Sequence, residues 1–152
     1  MLPTTAGRVP AHTARGINHR IEAETEESVR YYARHQDQID RRLRELDEEW
    51  DIERAIEANA STLAFTGTVL GAAVDRRWLI LPALVTAFLF QHAIQGWCPP
   101  VPILRRLGFR TMREIDTERV ALKALRGDFG VIGPDPRDHD TRVAHALLGA
   151  RL

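Results

Sequence analysis

Between Ala58 and Trp97 the chain carries charge only at Asp75, Arg76 and Arg77, and this interval limits what the chain can fold into. Its first part, Ala58–Val74, is a run of 17 uncharged residues. As a helix it would span roughly 25 Å, near the lower limit for crossing the hydrocarbon core of a bilayer. Its second part, Trp78–Trp97, is twenty residues without Asp, Glu, Lys or Arg, or about 30 Å of helix. Tryptophan at both ends suits the two headgroup zones, because an indole is apolar in body and polar at one edge. Pro82 falls in the first turn, where a missing N–H costs little, and Asp75-Arg76-Arg77 is short enough for a tight turn. The pattern predicts a transmembrane helical hairpin over residues 58–97, with spans 58–74 and 78–97. A soluble hairpin would need apolar cover that the rest of the chain is too polar to supply.

Outside this interval the charges are dense and segregated. The chain of 152 residues has a formal net charge of zero, yet residues 22–57 hold thirteen acids against six arginines, and residues 105–126 hold seven bases against three acids. Two arms of opposite sign attract if they lie on one side of a membrane. The bases are interleaved with acids, which excludes a nucleic-acid partner. Residues 1–17, with Pro3, Gly7, Pro10 and Gly16 and no apolar core of a secretory signal, are expected to be a disordered leader. From Asn18 onward no Gly or Pro occurs before the first span, and Tyr32, Ile39, Leu43, Leu46 and Trp50 recur at heptad-like spacing. This predicts one long cytoplasmic amphipathic helix over 18–57.

After the second span, residues 98–129 are expected to form an interfacial segment and a shorter amphipathic helix. Ile103, Leu104 and Leu107 would dip toward lipid while the arginines meet anionic headgroups. Thr111 and Glu114 have the spacing of a capping box; the helix they start runs to Arg126 and stops at Gly127, and Ile115, Leu122, Leu125 and Phe129 give it an amphipathic face. Residues 130–152 are expected to be a disordered tail. The fold class is therefore all-α: a two-helix transmembrane hairpin with a long N-terminal and a shorter C-terminal amphipathic helix. Arginines flank the outer ends of the spans more densely than the turn, which places both termini in the cytoplasm. The partners expected are the lipid bilayer and a second copy or another membrane protein.

Three constellations in the hairpin are candidates for function. Gly67 and Gly71 form a GxxxG in an apolar span, which lets a helix approach closely; that helix is the second span, or the same span of another copy. Gln91, His92 and Gln95 fall opposite Asn59, Ser61 and Thr62 in an antiparallel hairpin. They form either a polar cluster that handles a solute or proton, or a set of interhelical hydrogen bonds that closes the hairpin mouth. Cys98, the sole cysteine, is either a thiol activated by Arg105 and Arg106 or a small packing residue at a helix end. No catalytic motif, cofactor loop or metal-ligand spacing is present, so no enzyme, cofactor or metal is expected.

Two short apolar spans, a tight turn and the closure Gly96-Trp97-Cys98-Pro99 resemble the YgaP-like transmembrane domain family over about residues 55–107. The resemblance implies a bacterial inner-membrane protein, a helical hairpin and homodimerisation. Some members are fused to a sulfur-transferring rhodanese domain, which this chain lacks. For this chain it leaves a sulfur or redox relay at Cys98 as the alternative to a non-enzymatic anchor.

Overall fold

The computed structural model describes residues 7–129. Among them are seven α-helices and no strand: α1 (Arg8–Ala11), α2 (Arg15–Arg34), α3 (Ile39–Glu48), α4 (Ile52–Ala73), α5 (Ile80–Gln95), α6 (Val101–Arg106) and α7 (Met112–Arg126). Short 3₁₀ turns occupy Gln36–Gln38 and Arg76–Leu79. The tail expected over 130–152, like residues 1–6 of the leader, lies outside the described residues.

The all-helical class is as the sequence predicts, but the elements are more numerous. The long helix over 18–57 is broken twice without a glycine or proline. At the first break His35 leaves helical geometry, its ring nitrogen 2.9 Å from the Tyr31 carbonyl and its ring stacked on Tyr31 at 4.1 Å. At the second, Glu49 is extended and Asp51 caps α4, its side chain accepting from the Arg54 N–H at 2.6 Å. The neighbouring Ile52 N–H, another donor left open at the start of a helix, donates to the Arg110 carbonyl at 2.8 Å. The leader is also partly ordered: residues 8–11 are a helical turn, and Val9 is buried.

The chain divides into two compact units. Among the described residues, one comprises residues 7–23 and 50–115, the other residues 24–49 and 116–129. In the first, Val9, Ile52, Ile56, Cys98 and Val101 form a buried cluster with Leu89, Leu104 and Phe109 packed against it. Beside it Arg105 is fully buried. Its guanidinium donates to both Glu114 oxygens (2.7 and 2.8 Å), to the Phe109 carbonyl and to Asn18 Oδ1. The expectation that Arg105 meets lipid headgroups is thus corrected: a carboxylate with bidentate geometry is a closer partner for a guanidinium. Thr111 and Glu114 form the reciprocal capping box, with the Thr111 N–H on Glu114 at 2.8 Å and the Glu114 N–H on the Thr111 hydroxyl at 3.3 Å.

In the second unit Tyr32, Ile39, Leu43, Leu46 and Leu122 are buried. Three helices converge on the fully buried Glu118 of α7: Ser28 of α2 donates to it at 2.5 Å, and Arg42 of α3 grips both oxygens. Arg119 pairs with Asp47, and Arg126 with Asp40. Trp50, expected on the seam, is exposed instead, and Arg54 lies over its ring at 4.6 Å.

α4 and α5 pack against each other and are joined by the 3₁₀ turn, whose start is capped by Asp75 accepting from the Arg77 N–H. One helical stretch among the described residues, Arg76–Gln95, is long and apolar enough to cross a membrane, and only 6% of it is buried. α4 is not, because it opens with Glu53, Arg54 and Glu57 and continues in Ser, Thr and Gly.

Candidate functional site

The last turn of α5 and the loop after it draw together most of the residues singled out above. Gly96 ends the helix in a left-handed conformation (φ 73°), its N–H donating to the His92 carbonyl at 2.7 Å. A side chain there would be strained by the backbone alone. It would also collide: a Cβ on Gly96 would fall 2.5 Å from the Cβ and Cγ of Arg8. Arg8 crosses the glycine to donate to the Ala93 carbonyl at 2.7 Å, so the N-terminal segment satisfies a carbonyl that the ending helix leaves open. Val9 then enters the core beside Cys98.

Cys98 is 2% exposed. Burial pushes its thiol above the ordinary cysteine range, against a backbone hydrogen bond from Val101 that works the other way. Arg105, one of the two arginines expected to activate it, is committed to Glu114. The environment is that of a packing residue and is unfavourable to a thiolate.

The six polar residues are not joined in one hydrogen-bond network. Asn59, Ser61 and Thr62 each donate to the carbonyl four residues earlier on their own helix, at 2.6–2.8 Å. Gln91 reaches Gln95 at 3.5 Å, again along one helix. The i−4 carbonyl of the same helix takes the donors of Asn59, Ser61 and Thr62 that an antiparallel register would send across. His92 is set apart: it is 5% exposed, and neither ring nitrogen has a hydrogen-bond partner among the described residues. Arg8 Nε and Glu53 Oε2 are buried and unpaired as well. Burial raises the Glu53 carboxyl above its ordinary range and the charges of Asp51 and Glu114 add to this, while a backbone hydrogen bond and Arg8 oppose it.

Gly67 and Gly71 face the second apolar helix. A Cβ on Gly67 would lie 2.6 Å from Cδ of Pro82, and one on Gly71 would lie 2.5 Å from Cδ2 of Leu79. No group of His, Cys, Asp and Glu among the described residues could hold a metal ion.

An apolar groove of about 470 Å³ opens between α4, α5 and the loop that leads into α6. Ile56 and Leu63 line one wall, Phe88 and Leu89 another, and Cys98 and Ile103 its end, with Asn59 the one polar side chain. Sequence reasoning missed this groove and the docking of Arg8 and Val9. Both depend on contacts between residues distant in the chain, and no local spacing encodes them.

No family model matches this chain, and no curated protein or solved structure matches it.

Proposed function

We propose that this chain is a small integral membrane protein of the bacterial inner membrane, a non-enzymatic anchor or interaction module. It passes the bilayer twice through α4 and α5, has both termini in the cytoplasm, and associates through the apolar pair with a second copy or another membrane protein. The observation that carries this reading is the outward display of large apolar side chains. Phe65 is 72% exposed and Phe90 69%, and Ile80, Leu84 and Val74 are also exposed. A water-soluble monomer rarely leaves this many large apolar side chains of one helix pair uncovered. Lipid covers them at no cost.

The less apolar α4 is supported as a second span by two features. Thr62, Thr66 and Thr68 donate to carbonyls four residues back at 2.8 Å, so their hydroxyls carry no open donor into the hydrocarbon. The close approach at Gly67 and Gly71 gives the helix a partner in the bilayer. The orientation rests on the arginines that flank the outer ends. The inner-membrane location, homodimerisation and membership of the YgaP-like family rest on the resemblance. A sulfur or redox relay at Cys98 would need the thiol to reach a partner, and its burial weighs against that.

Alkaline carbonate extraction of membranes from cells expressing the chain tests the reading. It should remain in the pellet; release into the supernatant would overturn it.

A further inference from the structure

We propose that the groove between α4, α5 and the α6 loop holds one acyl chain of an anionic phospholipid, whose phosphate is met by Arg106. The inference rests on the membrane reading above and gives that reading a specific lipid.

The groove is open, continuous with the exposed apolar faces of α4 and α5, and lined by aliphatic, aromatic and proline side chains. Asn59 is its single polar side chain and already spends a donor on the Ala55 carbonyl. A polar or charged ligand would find almost nothing to bind there, whereas a hydrocarbon chain loses nothing by leaving bulk lipid for it. A bilayer supplies such chains at high local concentration.

The rim supplies the charge. Ile103 lines the groove and is exposed. Arg106 is three residues further along α6 and so lies on the same helix face. It is exposed, and its guanidinium has no ion-pair partner among the described residues. Arg105, the adjacent arginine, is buried on Glu114, so the two are divided between structure and surface. Leu107, also exposed, continues the apolar strip of α6 beside Arg106. An apolar groove with an unpaired cation one helical turn from its end matches an anionic lipid with its chain in the groove and its phosphate at the rim.

The full chain, purified in mild detergent, is mixed with dioleoylphosphatidylglycerol or dioleoylphosphatidylcholine and examined by native mass spectrometry. One bound lipid per chain is expected, with phosphatidylglycerol preferred. Arg106→Gln, at an exposed position, should keep the adduct and reduce that preference about fivefold. Ala60→Trp, which fills the groove from α4, should remove the adduct while circular dichroism shows unchanged helix content. If Ala60→Trp does not fold, Arg106→Gln decides alone.

Equal occupancy by the two lipids in the unaltered chain, or an undiminished preference in Arg106→Gln, would overturn the proposal. So would a lipid adduct that survives in folded Ala60→Trp. A dimer without lipid that Ala60→Trp dissociates would assign the groove to a second copy and also overturn it. Flotation with vesicles of the two lipids separates the levels: a chain that does not float removes the membrane reading and this inference together, while a floating chain that fails the adduct test removes this inference alone.

Discussion

The α4–α5 pair and the helices around Glu118 are both associations of helices, held by opposite means. In the pair, glycines bring the backbones close and the large apolar side chains, Phe65 and Phe90 among them, point away from the contact. Around Glu118 the apolar side chains Ile39, Leu43, Leu46 and Leu122 are buried, and a charged group is buried with them. The difference is the one expected if, as proposed above, the pair lies in lipid and the helices around Glu118 lie in water. In water, burying apolar area drives association and a buried carboxylate needs partners. In lipid the apolar side chains are already solvated, so association rests on close contact. The two regions should therefore fail under different substitutions.

The largest effect is expected at Glu118. Glu118→Ala removes the fully buried carboxylate that Ser28 and Arg42 bond, leaves the part-exposed Arg42 with Glu45, and should cost about 2–3 kcal/mol of unfolding free energy. The double variant Arg42→Met with Glu118→Leu should recover most of that loss, since replacing both members of a buried pair by apolar groups is often near neutral. Denaturant unfolding in detergent measures both. If Glu118→Ala is neutral, the contrast between the regions is wrong.

Next come the glycines. Gly67→Ala sets a methyl against the proline ring of Pro82, which cannot rotate away, and should cost about 1–3 kcal/mol. Gly71→Ala meets Cδ2 and Cγ of Leu79, atoms that another side-chain rotamer can carry away, and should cost less than Gly67→Ala. The reverse order would mean that α4 and α5 are not held at this distance. Neither substitution should respond to pH.

The charged contacts should respond. Burial alone would raise the Glu114 carboxyl, but hydrogen bonds from Arg105 and from the Thr111 N–H and hydroxyl outweigh it and hold the group below the ordinary value near 4.5. Its contribution is thus present above pH 4.5 and lost as pH falls through the lowered value. Glu53 has the opposite sign: its raised carboxyl destabilises the fold at neutral pH, and that penalty is relieved as pH falls through the raised value. Thermal unfolding should therefore show stability rising slightly on mild acidification and then falling. Glu53→Gln should abolish the rise and leave the fall. A curve whose rise survives in Glu53→Gln would contradict the assignment.

These expectations also show what could be read from residues alone. The capping box of Thr111 and Glu114 was legible because both partners lie within one turn. The seam of Tyr32, Ile39, Leu43 and Leu46 was legible because burial imposes a period. The breaks at His35 and at Glu49–Asp51 were not, since no glycine or proline marks them and the Ile52 N–H beside the Asp51 cap goes to the Arg110 carbonyl, which is distant in the chain. The partners of Asn59, Ser61 and Thr62 were not legible, because a register argument ignores the carbonyl four residues back on the same helix. Arg8 and Val9 were assigned to a leader because their place depends on Gly96, eighty-eight positions away, lacking a side chain.

The smallest effect sharpens the comparison by holding the residue type constant. Arg126 makes ion pairs with Asp40 and Asp128, as Arg42 does with Glu118, yet Arg126 and Asp40 are open to water. An ion pair in water exchanges one set of favourable contacts for another and loses side-chain entropy, so Arg126→Gln should cost below about 1 kcal/mol. Salt should erase much of that, because the screening length falls to about 3 Å at 1 M ionic strength. Unfolding curves of Arg126→Gln and the unaltered chain should converge as salt is added, while those of Glu118→Ala remain apart. Convergence of both sets would mean that Glu118 is reached by solvent, and that burial is not what separates the charged contacts of this chain into strong and weak.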